Sequence, residues 1–360
     1  MTSHKHRRAG TAVALAVATA AASRYGLHRA VERSKARSDP DLDPLYDLPG
    51  DVSEHDIDAP DGGTVHLVER GSGRPLLLIH GVTLQAGIWA PQMHMLADRY
   101  RVLAMDVRGH GRSRAGTDGL GRKAAARDVA AVLSHLDLHD VVIVGHSMGG
   151  MILMEFAGDF PEELSRRVAG LVFMNTAAHQ LLPRGVLPVA QATGRRVRRR
   201  FEAGRPVPQR PIGEDDLSWM MARTAFGARP SGRAVEQLRS YMEQVPQSTS
   251  VPSWIDIFDH DARDALRATR TPSLILVGSR DLLTPVYAAR RIASFLPGSR
   301  LEVLAGAGHQ LMQERPAELA RLIDEFSSAL PAGGRPDADR PSGGATTAVE
   351  AASADEVARG

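Results

Sequence analysis

Two hydrophobic periods organise the chain. Apolar and polar residues alternate along Ser53–Ala59 and again along Thr64–Glu69, and these stretches flank Pro60-Asp61-Gly62-Gly63. A period of two turns one face of each stretch to a core, and Asp-Gly supplies the turn, so this region predicts a β-hairpin. Beyond it the pattern changes. Short apolar runs without alternation appear at Pro75–Ile79, Tyr100–Met105, Val141–Val144, Gly170–Met174, Ser273–Val277 and Leu301–Leu304, each bounded by Gly, Asp, His or Arg. Such runs are expected of strands buried on both faces of a parallel sheet. Helical periodicity fills the intervals at Arg122–Leu136, Met148–Gly158, Pro285–Phe295 and Pro316–Leu330. Strand and helix alternating after an opening hairpin predict an α/β fold with a doubly wound, mostly parallel sheet.

The alternation breaks once, over about 178–271, in an Arg- and Pro-rich stretch with helical pieces at Asp215–Arg223 and Ser231–Val245. It lies between two sheet strands and therefore reads as an inserted helical cap. Residues 38–51 are rich in Asp and Pro and read as a linker, which puts the body at 52–330. The tail, 331–360, is rich in Gly, Ala, Asp and Pro and has no apolar period, so disorder is expected there. At the other end, residues 1–37 form a leader. Residues 9–22 carry no charge, but fourteen helical residues span roughly 21 Å, short of the ~30 Å hydrocarbon core. The basic flank and the small-x-small site Ala18-Thr19-Ala20 suit a signal or membrane-attachment segment. The alternative is a solvated cytoplasmic leader, since alanine is barely apolar and Arg24, Arg29, Arg33, Lys35 and Arg37 follow at once.

Charge sharpens this picture. The net +2 hides a leader with eight Lys or Arg against Glu32, and a segment 180–235 with eleven Arg against Glu202, Glu214, Asp215 and Asp216, leaving the rest acidic. An acidic body argues against nucleic-acid binding, and two basic patches fit contact with an anionic membrane surface. The dense run Arg195, Arg196, Arg198, Arg199 and Arg200 reads as a solvated helix face or as a lipid or anionic-substrate contact. Cysteine is absent, which removes disulfides, thiolate nucleophiles and Cys-ligated metal sites.

Chemistry concentrates at Gly145-His146-Ser147-Met148-Gly149-Gly150, between the strand Val141–Val144 and a helical run. So tight a strand-to-helix turn projects its central serine above the sheet edge and requires glycine on either side. A serine hydroxyl needs a base. His309 lies in the loop after the last apolar run, at the same sheet edge. His80 more plausibly shapes its own loop, and His146, next to the nucleophile, is expected to point away. The orienting acid is Asp281, just past the preceding strand. Its rivals are Asp256, Asp259, Asp261 and Asp264 in the cap, while the position after Met174 offers only Asn175. Asp106 reads as structural. Two backbone N–H groups, of Val82 and Met148, form the expected oxyanion hole.

His80-Gly81, Asp106-Val107-Arg108-Gly109-His110-Gly111-Arg112-Ser113, the Ser147 motif, Asp281 and His309 together resemble the α/β-hydrolase superfamily over Val52 to Leu330. The resemblance is nearest to the capped serine esterases and lipases of actinobacterial type. Serine at 147 counts against the similar dehalogenases and epoxide hydrolases, whose nucleophile is Asp. The resemblance implies ester hydrolysis through an acyl-enzyme, on a small-molecule ester with an apolar acyl group, with no metal or cofactor. Alternatives are an amidase, a thioesterase, a cofactor-free haloperoxidase-like relative, or a ligand-binding receptor built on the fold. In the cap, Trp219, Met220, Met221 and Phe226 either line a substrate pocket or pack the cap onto the body.

Overall fold

The computed structural model describes residues 24–179, 187–205 and 211–331. Strands β1 (Ser53–Asp58) and β2 (Thr64–Arg70) form the antiparallel opening hairpin, with Asp58 opposite Thr64. Six further strands follow: β3 (Arg74–Ile79), β4 (Tyr100–Met105), β5 (Val141–His146), β6 (Val168–Met174), β7 (Ser273–Gly278) and β8 (Arg300–Leu304). One eight-stranded sheet results, in the order β1-β2-β4-β3-β5-β6-β7-β8, parallel from β4 to β8. The missing alternation has its cause here. Leu77, Ile143, Phe173 and Ile275 belong to the core on one face, and their neighbours Leu76, Val142, Val172 and Leu274 to the core on the other.

The last strand departs from expectation. β8 pairs only with β7, and as an edge strand it buries only Leu304 fully and leaves Val303 exposed. Helices α3 (Arg122–His135), α4 (Met148–Asp159) and α11 (Val286–Phe295) cover the first face, and α2 (Ala90–Leu96) and α13 (Pro316–Ala329) the second. Short helices α5 (Pro161–Arg167) and α12 (Leu311–Glu314) complete the body.

The cap is inserted between β6 and β7 as α6 (Leu187–Glu202), α7 (Asp216–Arg223), α8 (Gly232–Gln244), α9 (Gln247–Phe258) and α10 (Arg263–Ala268). An isolated bridge between His179 and Asp261, with Ala262 N donating to Ala178 O at 2.8 Å, closes its base. Helix starts follow local chemistry: Asp215 accepts from Leu217 N and Ser218 N, and Ser231 accepts from Ala234 N. Arg195, Arg196, Arg198 and Arg199 are exposed on α6.

Residues assigned above to the leader and linker are in part built into the body. A helix α1 spans 24–35 and buries Val31 completely, in the same apolar cluster as Trp219 and Leu238. Lys35 Nζ lies 5.7 Å over the Trp219 ring, Gly232 N donates to Arg37 O at 2.6 Å, and His28 pairs with Asp216 at 3.0 Å. Farther along, Tyr46 Oη donates to Gln313 O and Tyr46 O accepts from Gln237 Nε2. The stretch 24–47 is thus a strap tying the cap to the body. The sequence conceals it because α1 fully buries Val31 alone while its other large apolar residues, Tyr25 and Leu27, are exposed, so no apolar stripe marks it. The uncharged run 9–22 and the tail beyond Pro331 lie outside the described residues. Among those residues no helix is long and apolar enough to cross a membrane.

If the strap contributes through Val31, Val31→Ala should cost about 1–3 kcal/mol. A chain starting at Asp39 should lose more, because the Lys35 and Arg37 contacts go too. Urea midpoints of the three proteins measure this, and equal midpoints would show that the strap carries no stability.

Candidate active site

Strands β3 to β8 are parallel, so the loops after them emerge at one edge, and every candidate residue sits there. Ser147 joins β5 to α4 with φ 54° and ψ −117°, a conformation unfavourable for a residue with a Cβ. Its surroundings impose it. Ser147 N donates to Met174 O at 3.0 Å, while Ser147 O accepts from Thr176 Oγ1 at 2.7 Å and from Gly150 N at 3.0 Å. A Cβ at Gly145 would lie 2.6 Å from Gly149 O, and one at Gly149 would run into Ile79 O. Only glycine at both positions lets α4 start this close to β3 and β5.

Asp281 and His309 meet across the ends of β7 and β8, with His309 Nδ1 2.8 Å from Asp281 Oδ2. The carboxylate is buried and fully engaged. Oδ1 accepts from Leu283 N at 2.8 Å and Thr284 N at 2.9 Å, and Oδ2 accepts from Thr284 Oγ1 at 2.6 Å and Asn175 Nδ2 at 2.7 Å. Burial alone would raise its pKa. The His309 charge and these hydrogen bonds outweigh burial and hold it well below the usual carboxylate range. Asp281 is therefore an anion matched to the Nδ1–H tautomer of His309. Asp106 is not part of this group. It accepts from Ala86 N at 2.6 Å and Arg112 N at 2.8 Å and fixes the loop after β4. Of the cap acids, Asp261 pairs with Arg263, Asp259 with Arg198 and Asp256 with Arg122.

His80 holds the loop that faces Ser147. Val107 N donates to its Nε2 at 3.0 Å, so Nδ1 carries the proton and donates to Gly81 O at 2.7 Å. Burial lowers its pKa to about 4, keeping the ring neutral. A Cβ at Gly81 would sit 2.9 Å from Ser147 Cβ, so this glycine lets the chain pass directly over Ser147. Val82 comes next and lines the same cavity as Ser147 and His309. Met148 is the first residue of α4, where backbone N–H groups lack intrahelical partners.

Four residues gain roles that the sequence reading did not give them. His146 does not turn away from the site: its Nε2 lies 2.9 Å from His309 O and the two rings are 4.8 Å apart. Burial, then the neighbouring His309 charge, lowers its pKa well below the ordinary value, so the neutral ring donates through Nε2. Asn175, at φ 46°, bonds both Asp281 and Gly308 O. Thr284 bonds Asp281 and lies 3.3 Å from His309 Nδ1. Glu314 accepts from Gly308 N at 2.9 Å, Gln310 N at 3.3 Å and Gly227 N at 2.7 Å, joining the His309 loop to the cap. The Glu in Gly306-Ala307-Gly308-His309-Gln310-Leu311-Met312-Gln313-Glu314 was the one visible signal, an acid five residues beyond His309.

The cavity over Ser147 measures about 300 Å³ and takes Leu84, Met151 and Leu283 from the body and Met221, Leu238 and Trp254 from the cap. Trp219, Met220 and Phe226 do not line it. Trp219 and Phe226 are buried in the core below the cap, and Met220 packs partly buried against that core. Successive residues of α7 point about 100° apart, so Met221 and Ala222 reach the cavity while Trp219 and Met220 do not.

Residues 74–316, well over half of the chain, match the model of the family described as alpha/beta hydrolase fold. The chain belongs to the α/β-hydrolase family. Among relatives of this α/β hydrolase, an uncharacterised protein of Mycobacterium tuberculosis is 31% identical over 288 residues, spanning 73% of this chain and 79% of the relative. A protein named non-heme haloperoxidase from Rhodococcus erythropolis is 31% identical over 262 residues, spanning 70% of this chain and 92% of that one. A solved thermophilic esterase from Thermogutta terrifontis superposes with a TM-score of 0.62 at 26% identity, covering 76% of this chain and 97% of the esterase.

Buried histidines should make the fold of this α/β hydrolase sensitive to acid. His110, 5.5 Å from His80, also has its pKa lowered to about 4, by burial and then by the His80 charge. Unfolded, both rings protonate near 6.5. Folded, they resist protonation until about 4, so their contribution is complete above pH 6.5 and is lost as pH falls toward 4. The loss is on the order of 3 kcal/mol per ring. Melting temperatures should fall through that window, with a shallower slope in His110→Asn. A flat profile would contradict neutral buried rings.

Proposed function

We propose that this α/β hydrolase cleaves carboxylic esters through an acyl-enzyme. Ser147 attacks the acyl carbonyl while His309 takes its proton, and the oxyanion is held by the backbone N–H groups of Val82 and Met148. His309 then protonates the leaving alcohol. Water, deprotonated by the same ring, opens the acyl-enzyme and releases the acid. The observation that carries this reading is the anchoring of His309 Nδ1 on the ionised Asp281 at 2.8 Å, on the wall of the cavity that Ser147 also lines. Asp281 fixes the tautomer, leaving Nε2 as the base, and stabilises the imidazolium that forms. An apolar cavity of about 300 Å³ supports a small apolar acyl group rather than a long chain. The likeness to a solved esterase supports the ester over other acyl derivatives.

A second reading rests on the relatives named haloperoxidase. If hydrogen peroxide replaces water in opening the acyl-enzyme, the product is a peracid, and the same three residues serve. Halide oxidation assayed with acetate and peroxide separates the two readings, since simple ester turnover needs neither.

Ser147→Ala should lower ester turnover by several orders of magnitude without unfolding the protein. A fluorophosphonate probe should label the wild type and spare this variant; labelling elsewhere would remove Ser147 from the role. Asp281→Asn should cost around 10⁴ in turnover, because the amide favours the wrong imidazole tautomer. Asp259→Asn should change little, and the reverse pattern would move the acid into the cap.

A further inference from the structure

The polar groups that line the cavity are nearly all committed elsewhere. Thr83 Oγ1 donates to Val82 O at 2.7 Å, Thr224 Oγ1 to Met221 O at 2.6 Å and Thr284 Oγ1 to Asp281 Oδ2 at 2.6 Å. Ser147 and His309 are taken by the chemistry. His146 Nδ1 has no partner, but it is walled in, 3.1 Å from where a Cβ on Gly81 would stand. Among the described residues one buried side chain remains, besides the indole of Trp254, which is 37% exposed at the rim. Gln310 lines the cavity, is 3% exposed, and its Oε1 is buried without a hydrogen-bond partner. Its backbone is held in place, because its N–H donates to Glu314 and it occupies the position before α12, without a side-chain capping bond of its own.

A buried amide without a partner is a cost that the free enzyme carries and that a suitable ligand relieves. A terminal amide can rotate to present either its oxygen or its NH2, so the matching group is one that donates, accepts, or does both. A hydrocarbon placed against it leaves the amide unpaired, and selection arises from that penalty. Gln310 lines the same cavity, of about 300 Å³, as Ser147 and His309, and so compact a space puts the group it reads near the scissile ester.

We propose that Gln310 is a specificity-determining residue that selects esters bearing an amide or hydroxyl group close to the scissile carbonyl, within an otherwise apolar substrate. The inference rests on the ester-hydrolase reading of this site.

Two substrate pairs test it: the 4-nitrophenyl esters of N-acetylglycine and pentanoic acid, and those of 3-hydroxybutanoic and butanoic acid. Each kcat/KM is divided by the rate of the same ester with hydroxide, which removes intrinsic reactivity. In the wild type the polar member of at least one pair should be preferred. In Gln310→Met that preference should fall by about 10- to 100-fold. Gln310→Leu serves as a second variant should Met not be accepted, and the wild-type preference is read without either. Preference for the apolar member of both pairs, or an unchanged ratio in the variants, overturns the assignment of Gln310 while leaving ester hydrolysis standing. No turnover of any of the four esters by the wild type instead sinks the ester reading, and this inference with it.

Discussion

Asp281 carries a full negative charge out of water, and the edge of the sheet is arranged around replacing its hydration. An unpaired buried carboxylate would neutralise itself rather than stay charged. Two backbone N–H groups from its own loop, the Thr284 hydroxyl, the Asn175 amide and the His309 ring take the place of water. These donors come from the ends of β6, β7 and β8, so the carboxylate stays charged only if those strands end in register. That condition explains the left-handed backbone at Asn175: a residue that continued β6 in extended form would carry its amide past Asp281. The same amide holds Gly308 O, so one side chain sets both the acid and the loop of the base.

The strands and the nucleophile turn were legible because local physics dictates them. A strand with both faces buried has to be apolar at consecutive positions, and β3, β5 and β6 are. Gly145 and Gly149 announce their turn because a Cβ at either has nowhere to go. What stayed hidden depends on approach between distant segments. Asn175 meets Asp281 across 106 positions and Gly227 meets Glu314 across 87, and nothing in either local sequence records the partner. Asn175 had been read only as the absence of an acid, whereas its amide is what steadies the acid elsewhere.

The cap was misread for a related reason. Trp219, Met220, Met221 and Phe226 look alike as a run of large apolar residues, yet a helix and the turn after it distribute them over different directions. Trp219 faces the strap, where Lys35 lies over its ring, and only Met221 reaches the cavity. Composition identifies such residues as buried or lining without separating the two. The strap was missed because its contacts come from scattered side chains, those of His28, Val31, Lys35 and Tyr46, together with backbone bonds, and these form no apolar stripe.

These contacts also decide how substrate reaches Ser147. His309 N donates to Ala225 O at 2.7 Å, and the Glu314 carboxylate grips Gly227 on one side and Gly308 and Gln310 on the other. The segment 225–227 of the cap is therefore mounted on the loop that carries His309, and lifting it would drag His309 off Asp281. The strap restrains the neighbouring helices α7 and α8 from outside. Access has to come where the cavity is open. There Met221, Trp254 and Leu283 line the cavity and are each more than a third exposed, which makes them its mouth. A rigid seam beside His309 and an apolar, partly open rim let the cavity vary with the cap residues at the rim, while the geometry of Asp281 and His309 stays fixed.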